Sequence, residues 1–395
     1  MKWPCLRERL QLFLQNQRIN RINAEIQPGL TPGQSTLKVN VEESSPWRAW
    51  VEFNNFQSPT VGAERGIGTI MHLNPLGLGD SFSLSYGRSE GVDPLLNVRY
   101  SIPFTPWDTT FTGQYRRNDF TVVEAPFAPL NIESETEVYT LSIRQPIIRT
   151  PIQEIAITLT GAHLKNSNFL LGIPFAFSPG STAQGKVNIS VLRFAQEWVH
   201  RLPNQVLAAL SRFSVGLDVL GATTSSVAIP DGEFFVWLGQ IQGARRLVFL
   251  DMQVIGRMDI QWAADQLFSL EQYPIGGRFT VRGYRENTLV RDNAFLFSVE
   301  TRIPVAASFF GEGTVQIAPF LDVGRSWNHN RITPTPGTLA SIGLGVWVTL
   351  RQSEFFPLPS AQFNMYWGQQ LNHVNDPGRN LQDHGIHLQM VTEVL

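Results

Sequence analysis

Cysteine is all but missing: Cys5 stands alone among 395 residues. That excludes a disulfide framework and a cysteine-built zinc site. Lysine is nearly as scarce, with Lys2, Lys38, Lys165 and Lys186 set against 27 arginines. Charged residues make up 16% of the chain, where a soluble domain carries about 25%. A net charge of −2 offers no bulk attraction to nucleic acid. No apolar run reaches the ~18 residues of a membrane helix. The opening MKWPCLRERLQLFLQNQ is no signal peptide, because Arg7, Glu8 and Arg9 interrupt its apolar segment. The phosphate-cradling Gly-x-x-x-x-Gly-Lys-[Ser/Thr], the dinucleotide Gly-x-Gly-x-x-Gly and the nucleophile elbow Gly-x-Ser-x-Gly are absent. Nothing therefore points to an enzyme, a cofactor or a metal. His384 and His387 are three apart at the start of a predicted strand, where odd spacing sets them on opposite faces.

What is present is alternation. Ser81-Phe82-Ser83-Leu84-Ser85-Tyr86 places small polar groups on one face and large apolar ones on the other. Leu96, Val98, Tyr100, Ile102 and Phe104 oppose Asn97, Arg99 and Ser101. Val248, Leu250, Met252, Val254, Met258 and Ile260 oppose Asp251, Gln253, Arg257, Asp259 and Gln261. Such strands are half apolar and half polar, which suits either a half-solvated sheet or a membrane barrel with a wet lumen. Length favours the barrel, since a tilted crossing needs about 10 residues. So do the near absence of helical segments after residue 25 and the aromatics near strand ends: Trp47, Trp50, Phe104, Trp107, Trp198, Trp262, Trp327 and Trp367.

Sixteen strands are predicted, near 48–57, 65–73, 81–88, 95–105, 109–117, 136–147, 153–164, 187–199, 205–218, 233–244, 247–262, 293–304, 314–325, 338–350, 360–370 and 385–394. Short proline-bearing connections (Thr105–Asp108, Arg149–Ile152, Arg201–Asn204) alternate with long ones (118–135, 165–186, 219–232, 263–292, 371–384). That rhythm is the outer-membrane arrangement, with short turns inside and long loops outside. Residues 1–46 read differently. Leu6, Leu10, Phe13 and Leu14 form a helical stripe, followed by a strand at Ile19–Ile26, a turn at Pro28-Gly29…Pro32-Gly33 and a strand at Thr36–Glu42.

The connection at 263–292 is too apolar for an ordinary outer loop. It carries Leu267, Phe268, Leu270, Ile275, Phe279, Val281 and Tyr284, so it is expected to pack on protein. Within it run Gly276-Gly277 and Val281-Arg282-Gly283-Tyr284, followed by Glu300-Thr-Arg302 and Phe320-Leu-Asp322-Val-Gly324. This ordered set resembles the haemolysin secretion/activation proteins, the TpsB-type outer-membrane transporters of two-partner secretion. Asn74-Pro-Leu-Gly-Leu-Gly-Asp80, Val61-Gly62…Arg65 and Pro28-Gly29…Val41-Glu42 resemble the same family, so the likeness runs over nearly the whole chain.

The resemblance implies an all-β transmembrane barrel of 16 antiparallel strands over 47–395. It implies a sixth outer loop, 263–292, folded back into the lumen, and a partial second POTRA domain at 1–46. It implies that Arg282 at the loop tip meets Asp322. Strand parity separately turns Asp322, Glu300 and Arg302 inward, while Phe320 and Gly324 complete the wall motif. The implied function is secretion, and in some cases activation, of an unfolded TpsA-type exoprotein through an outer-membrane pore of a Gram-negative-type bacterium. The implied partners are cargo, outer-membrane lipid and the barrel-assembly machinery; the protein is expected to be a monomer. The family's signal peptide, plug helix, first POTRA domain and most of its second have no match here, so residues 1–395 alone are expected not to support secretion. A barrel-assembly insertase, a passive porin or receptor and an outer-membrane hydrolase are the rival readings.

Overall fold

The computed structural model describes residues 10–29, 34–227, 229–309, 313–353, 356–374 and 379–395. Cys5, Leu6 and the Pro32-Gly33 half of the predicted turn lie outside the described residues. Sixteen antiparallel strands close on themselves as a barrel. In chain order they are β1 (Trp47–Asn54), β2 (Arg65–Leu73), β3 (Ser81–Ser89), β4 (Val92–Pro103), β5 (Thr110–Thr121), β6 (Ile132–Arg149), β7 (Gln153–Leu170) and β8 (Lys186–Leu202). Then follow β9 (Gln205–Leu217), β10 (Phe235–Leu247), β11 (Met252–Ala263), β12 (Asn293–Phe309), β13 (Gly313–Trp327), β14 (Thr338–Ser353), β15 (Phe356–Gln370) and β16 (Ile386–Glu393). A two-residue arm, Ile173–Pro174, extends the outer end of β7.

Every strand pairs with its neighbour in sequence, and β16 returns to β1 over Gln389–Glu393 against Trp50–Asn54. Closure leaves no edge strand, so backbone groups within the wall are satisfied inside it, as a membrane interior demands. The outer face is apolar and exposed: Leu141, Ile143, Leu159, Leu192, Ile342 and Phe363 stand on it. In the lumen Arg144 pairs with Glu154 and Glu197. Thr69 bonds Ser85, and Ser101 bonds Thr112.

Connections are short at one end, as at residues 150–152 and 203–204, and long at the other, as at 171–185, 218–234 and 264–292. Both barrel termini reach the short-turn end. There a hairpin of Ile19–Pro28 and Ser35–Glu43 precedes β1. Ile22, Ala24 and Ile26 face Val41, Val39 and Leu37 across it, so one side of the hairpin is apolar. Leu10–Leu14 make a helical turn, and Gln15–Arg18 cross the inner mouth. Gln15 donates to the Pro151 carbonyl (3.3 Å) on one side and Arg18 to that of Gly79 on the other.

Three sequence expectations need correction. Trp50 faces the lumen rather than an interfacial girdle, because its ladder partner Thr69 lines the same inner cavity. Val248–Leu250 form a turn with Asp251 at φ 48°, so β11 starts at Met252 instead of 247. Strands β6 and β7 each run for 18 residues, beyond the predicted ends at 136 and 164. A ladder needs only backbone, so polar pairs such as Glu137 with Lys165 carry it past the apolar band.

Candidate functional site

The connection between β11 and β12, residues 264–292, packs against the inner wall instead of standing in solvent. Leu267 and Phe268 sit in a buried apolar cluster with Val138, Leu164, Ile189 and Val191 of β6, β7 and β8. Tyr273, Ile275, Val281, Tyr284 and Leu289 sit in a second with Leu238, Leu296 and Leu339 of β10, β12 and β14. Burying these side chains is the main driving force, at about 1.5–3 kcal/mol for each large one before ordering costs.

At the tip, Arg282 forks onto Asp322 of β13, Nε to Oδ2 at 2.8 Å and Nη2 to Oδ1 at 2.8 Å. Its own backbone N–H also donates to Asp322 Oδ2, at 3.0 Å. Arg282 Nη1 donates to Glu300 of β12, and Nη2 reaches Ser298 Oγ at 3.3 Å. The Arg282 side chain is 4% exposed and that of Asp322 is fully covered, so the pair is dry as well as bidentate. The guanidinium lies 3.7 Å over the Phe320 ring and 4.8 Å from that of Tyr366. Glu300 takes Arg302 Nε (2.7 Å) and the Tyr366 hydroxyl (2.9 Å) as further donors. Arg302 in turn stacks 3.8 Å over Trp347.

The flanking residues fix the approach. Gly283, at φ 89°, meets Gly368 of β15 so closely that a Cβ would lie 2.6 Å from the Gly368 carbonyl oxygen. Its N–H donates to His387 Nε2 (3.2 Å) and its carbonyl accepts from Gln370 (3.0 Å). Gly324 is the matching gap in the wall, since a Cβ there would lie 2.6 Å from Ile275 and 2.8 Å from Val281. The buried Tyr284 hydroxyl lies within donating distance of the carbonyls of Ala340 (2.8 Å) and Asn372 (2.7 Å), its one proton serving either. Gly276 and Gly277 turn the chain at φ 109° and 101°.

Beyond the tip, Arg285 bridges two outer connections. Its Nη1 and Nη2 donate to Glu124 at 2.9 and 2.8 Å, and Nη2 donates to Asp383 at 2.9 Å. Burial works against the Asp383 carboxylate, but hydrogen bonds from Arg285 and backbone N–H groups outweigh it and hold its pKa low. Burial pushes the Glu286 carboxyl up to about 7, against the Arg278 N–H and the charges of Arg65 and Arg278.

Val281, Arg282, Gly283, Tyr284, Asp322, Glu300, Arg302, Phe320 and Gly324 thus lie in one contiguous site. Sequence reasoning missed Tyr366, Gly368, His387, Arg285, Glu124 and Asp383. His384 sits in the turn Gln382–His384 before β16, apart from His387 on the strand. The site's ion pairs and hydrogen bonds hold segment 264–292 against the inner wall of the barrel. Beside it, the inner wall from β2 to β5 keeps a hydroxyl and amide lining of Thr69, Ser83, Ser85, Asn97 and Ser101. That lining borders a cavity of about 670 Å³ toward the short-turn end, where Gln15–Arg18 also line it.

The family model for haemolysin secretion/activation protein ShlB/FhaC/HecB matches residues 33–348. The outer membrane transporter CdiB of Dickeya dadantii is 23% identical over 346 residues, which cover 84% of this chain and 59% of that protein. The hemolysin transporter protein ShlB of Serratia marcescens is 23% identical over 350 residues, with 84% and 58% covered. This chain therefore spans less than two thirds of the length of those relatives. Among solved structures, CdiB from Escherichia coli superposes with a TM-score of 0.76 at 19% identity, covering 96% of this chain and 68% of the other. BamA from Haemophilus ducreyi lacking POTRA domains 1–3 gives 0.63 at 12%, covering 97% and 77%. At these identities the superpositions speak for the fold alone.

Proposed function

This chain belongs to the haemolysin secretion/activation protein family ShlB/FhaC/HecB, and on that premise we propose that it is the outer-membrane pore of a two-partner secretion system, passing an unfolded exoprotein from periplasm to exterior. The observation that carries the reading is the inward-packed segment 264–292, pinned in the lumen of a family barrel by Arg282 on Asp322 and Glu300. Apolar burial seats the segment, while its tip is fixed by polar contacts that an entering polypeptide can exchange for its own. The hydroxyl lining offers an extended chain hydrogen bonds without a sticky apolar surface. In this reading Arg282 and Asp322 set the closed position of the loop, Gly276, Gly277, Gly283 and Gly324 let it seat, and residues 1–46 are the end of a second POTRA domain at the inner mouth. The work is transport, and folding of the cargo outside supplies a driving force where no nucleotide is at hand.

Photoreactive residues placed singly at Ser83 and Ser101, on the inner wall, test the reading in cells exporting an exoprotein encoded beside this gene. Adducts to the exoprotein are expected from both positions and not from the lipid-facing Phe82. Export without adducts from either lumen position would refute passage along this wall.

A further inference from the structure

Most lumen arginines are matched by carboxylates. Arg144 has Glu154 and Glu197, Arg282 has Asp322 and Glu300, and Arg257 has Asp259. One group is not. Arg193 of β8 pairs across the ladder with Ser214 of β9, and Arg212 of β9 with Ala195 of β8. The two arginines are therefore diagonal neighbours on the inner face, about 7–8 Å apart at the backbone. Arg116 of β5 is exposed to the lumen and lies within electrostatic range of Arg193. Among the described residues, the carboxylate that pairs with one of them is Glu271, from the inward-packed segment. It pairs with Arg193 and lies within range of Arg212. Among the described residues, Arg116 and Arg212 have no ion-pair partner, and the buried Nε atoms of Arg193 and Arg212 have no hydrogen-bond acceptor.

Glu271 is well placed to act as a stand-in ligand. Its side chain is 8% exposed, its carbonyl accepts from Gln261 Nε2 at 3.1 Å, and its N–H donates to the Phe268 carbonyl at 2.9 Å. It comes from the loop, whereas all three arginines belong to the wall. Guanidinium groups fork onto carboxylates, and unfilled donors in a half-buried setting favour an anion.

We propose that Arg116, Arg193 and Arg212 form a carboxylate-binding station on the channel wall, occupied at rest by Glu271. Acidic side chains of a polypeptide in transit take Glu271's place and loosen the segment it belongs to. The second part rests on the reading of the barrel as a polypeptide pore. The station itself is a property of the channel.

The purified chain in planar lipid bilayers separates the two. Reversal potentials in a KCl gradient and current block by hexaglutamate, hexaglutamine and acetate are measured for wild type, Glu271→Gln and Glu271→Gln combined with Arg212→Gln or Arg116→Gln. Glu271→Gln is expected to shift selectivity toward anions and to lower the blocking concentration of hexaglutamate at least tenfold, with hexaglutamine inert. Either arginine change should reverse both effects. Arg116 is exposed, so its replacement leaves packing alone, and retention of the folded barrel is checked by its heat-dependent shift on gels. Block by acetate at the same carboxylate concentration would make the station a small-anion site and overturn its role toward polypeptide. Unchanged block in Glu271→Gln, or no reversal by Arg116→Gln, would overturn the station itself. Exoprotein adducts at Ser83 and Ser101 with an unchanged block would leave the pore reading standing while the station falls.

Discussion

Replacing Arg282 by Lys keeps the charge but loses the fork onto Asp322 and the planar stack on Phe320. Both Arg282→Lys and Arg282→Ala are therefore expected to leave an inserted barrel while changing its conductance and impairing export. Removing one partner of a dry pair costs on the order of 3–5 kcal/mol locally, because the other charge stays buried. Asp322→Ala should match Arg282→Ala. The double variant should be little worse than either, since each breaks the same contact, and conductance histograms with thermal melts check this. Glu286 gives a pH dependence whose sign follows from its raised pKa. The native carboxyl keeps its proton up to about 7, whereas the free side chain loses it near 4.5. Seating of the loop is thus fully favoured below about 4.5 and weakens as pH rises to 7. Limited proteolysis of segment 264–292 between pH 5 and 8 should show this, and Glu286→Gln should flatten it. Arg282 and Asp322 were legible as partners because a motif resemblance and strand parity agreed on them. Arg285, Glu124 and Asp383 were not, because charges on three separate connections carry no periodic signal that joins them.

The strands were readable because lipid outside and water inside force a period of two over long stretches. Their ends were less so. The ladder at Glu133–Glu137 continues without apolar side chains, and the apolar Val248 falls in a turn rather than on a face. The seating of the inward segment depends on shape as much as on charge. Gly324→Ala is expected to push Ile275 and Val281 off the wall, at about 1–3 kcal/mol, while the barrel stays closed. Increased labelling of a cysteine placed at Thr280 would report that displacement. The seams also differ. β16 and β1 share the shortest register, and hydrogen exchange at Phe53, Met390 and Val391 is expected to outpace that in β6 and β7.

Over the whole molecule, the lumen is divided between two surfaces. The segment 264–292 lies on the wall from β6 round to β16, and the serine- and asparagine-lined wall of β2–β5 stays free of it. A chain passing through while the segment stays seated has only that free side. The barrel's height is equally one-sided. β6 and β7, with 18 residues each, rise about 45 Å along the membrane normal at ~3.3 Å per residue and a ~40° tilt. β1 and β16, with eight residues each, rise about 20 Å, less than the ~25 Å apolar band of such barrels. Lipid cannot stand at full thickness against so low a rim. The bilayer must dip along one flank of the protein and recover along the other, which makes the barrel a local sculptor of the membrane that holds it. Its unassisted folding should accordingly be faster into vesicles of short-chain lipid than into thicker ones.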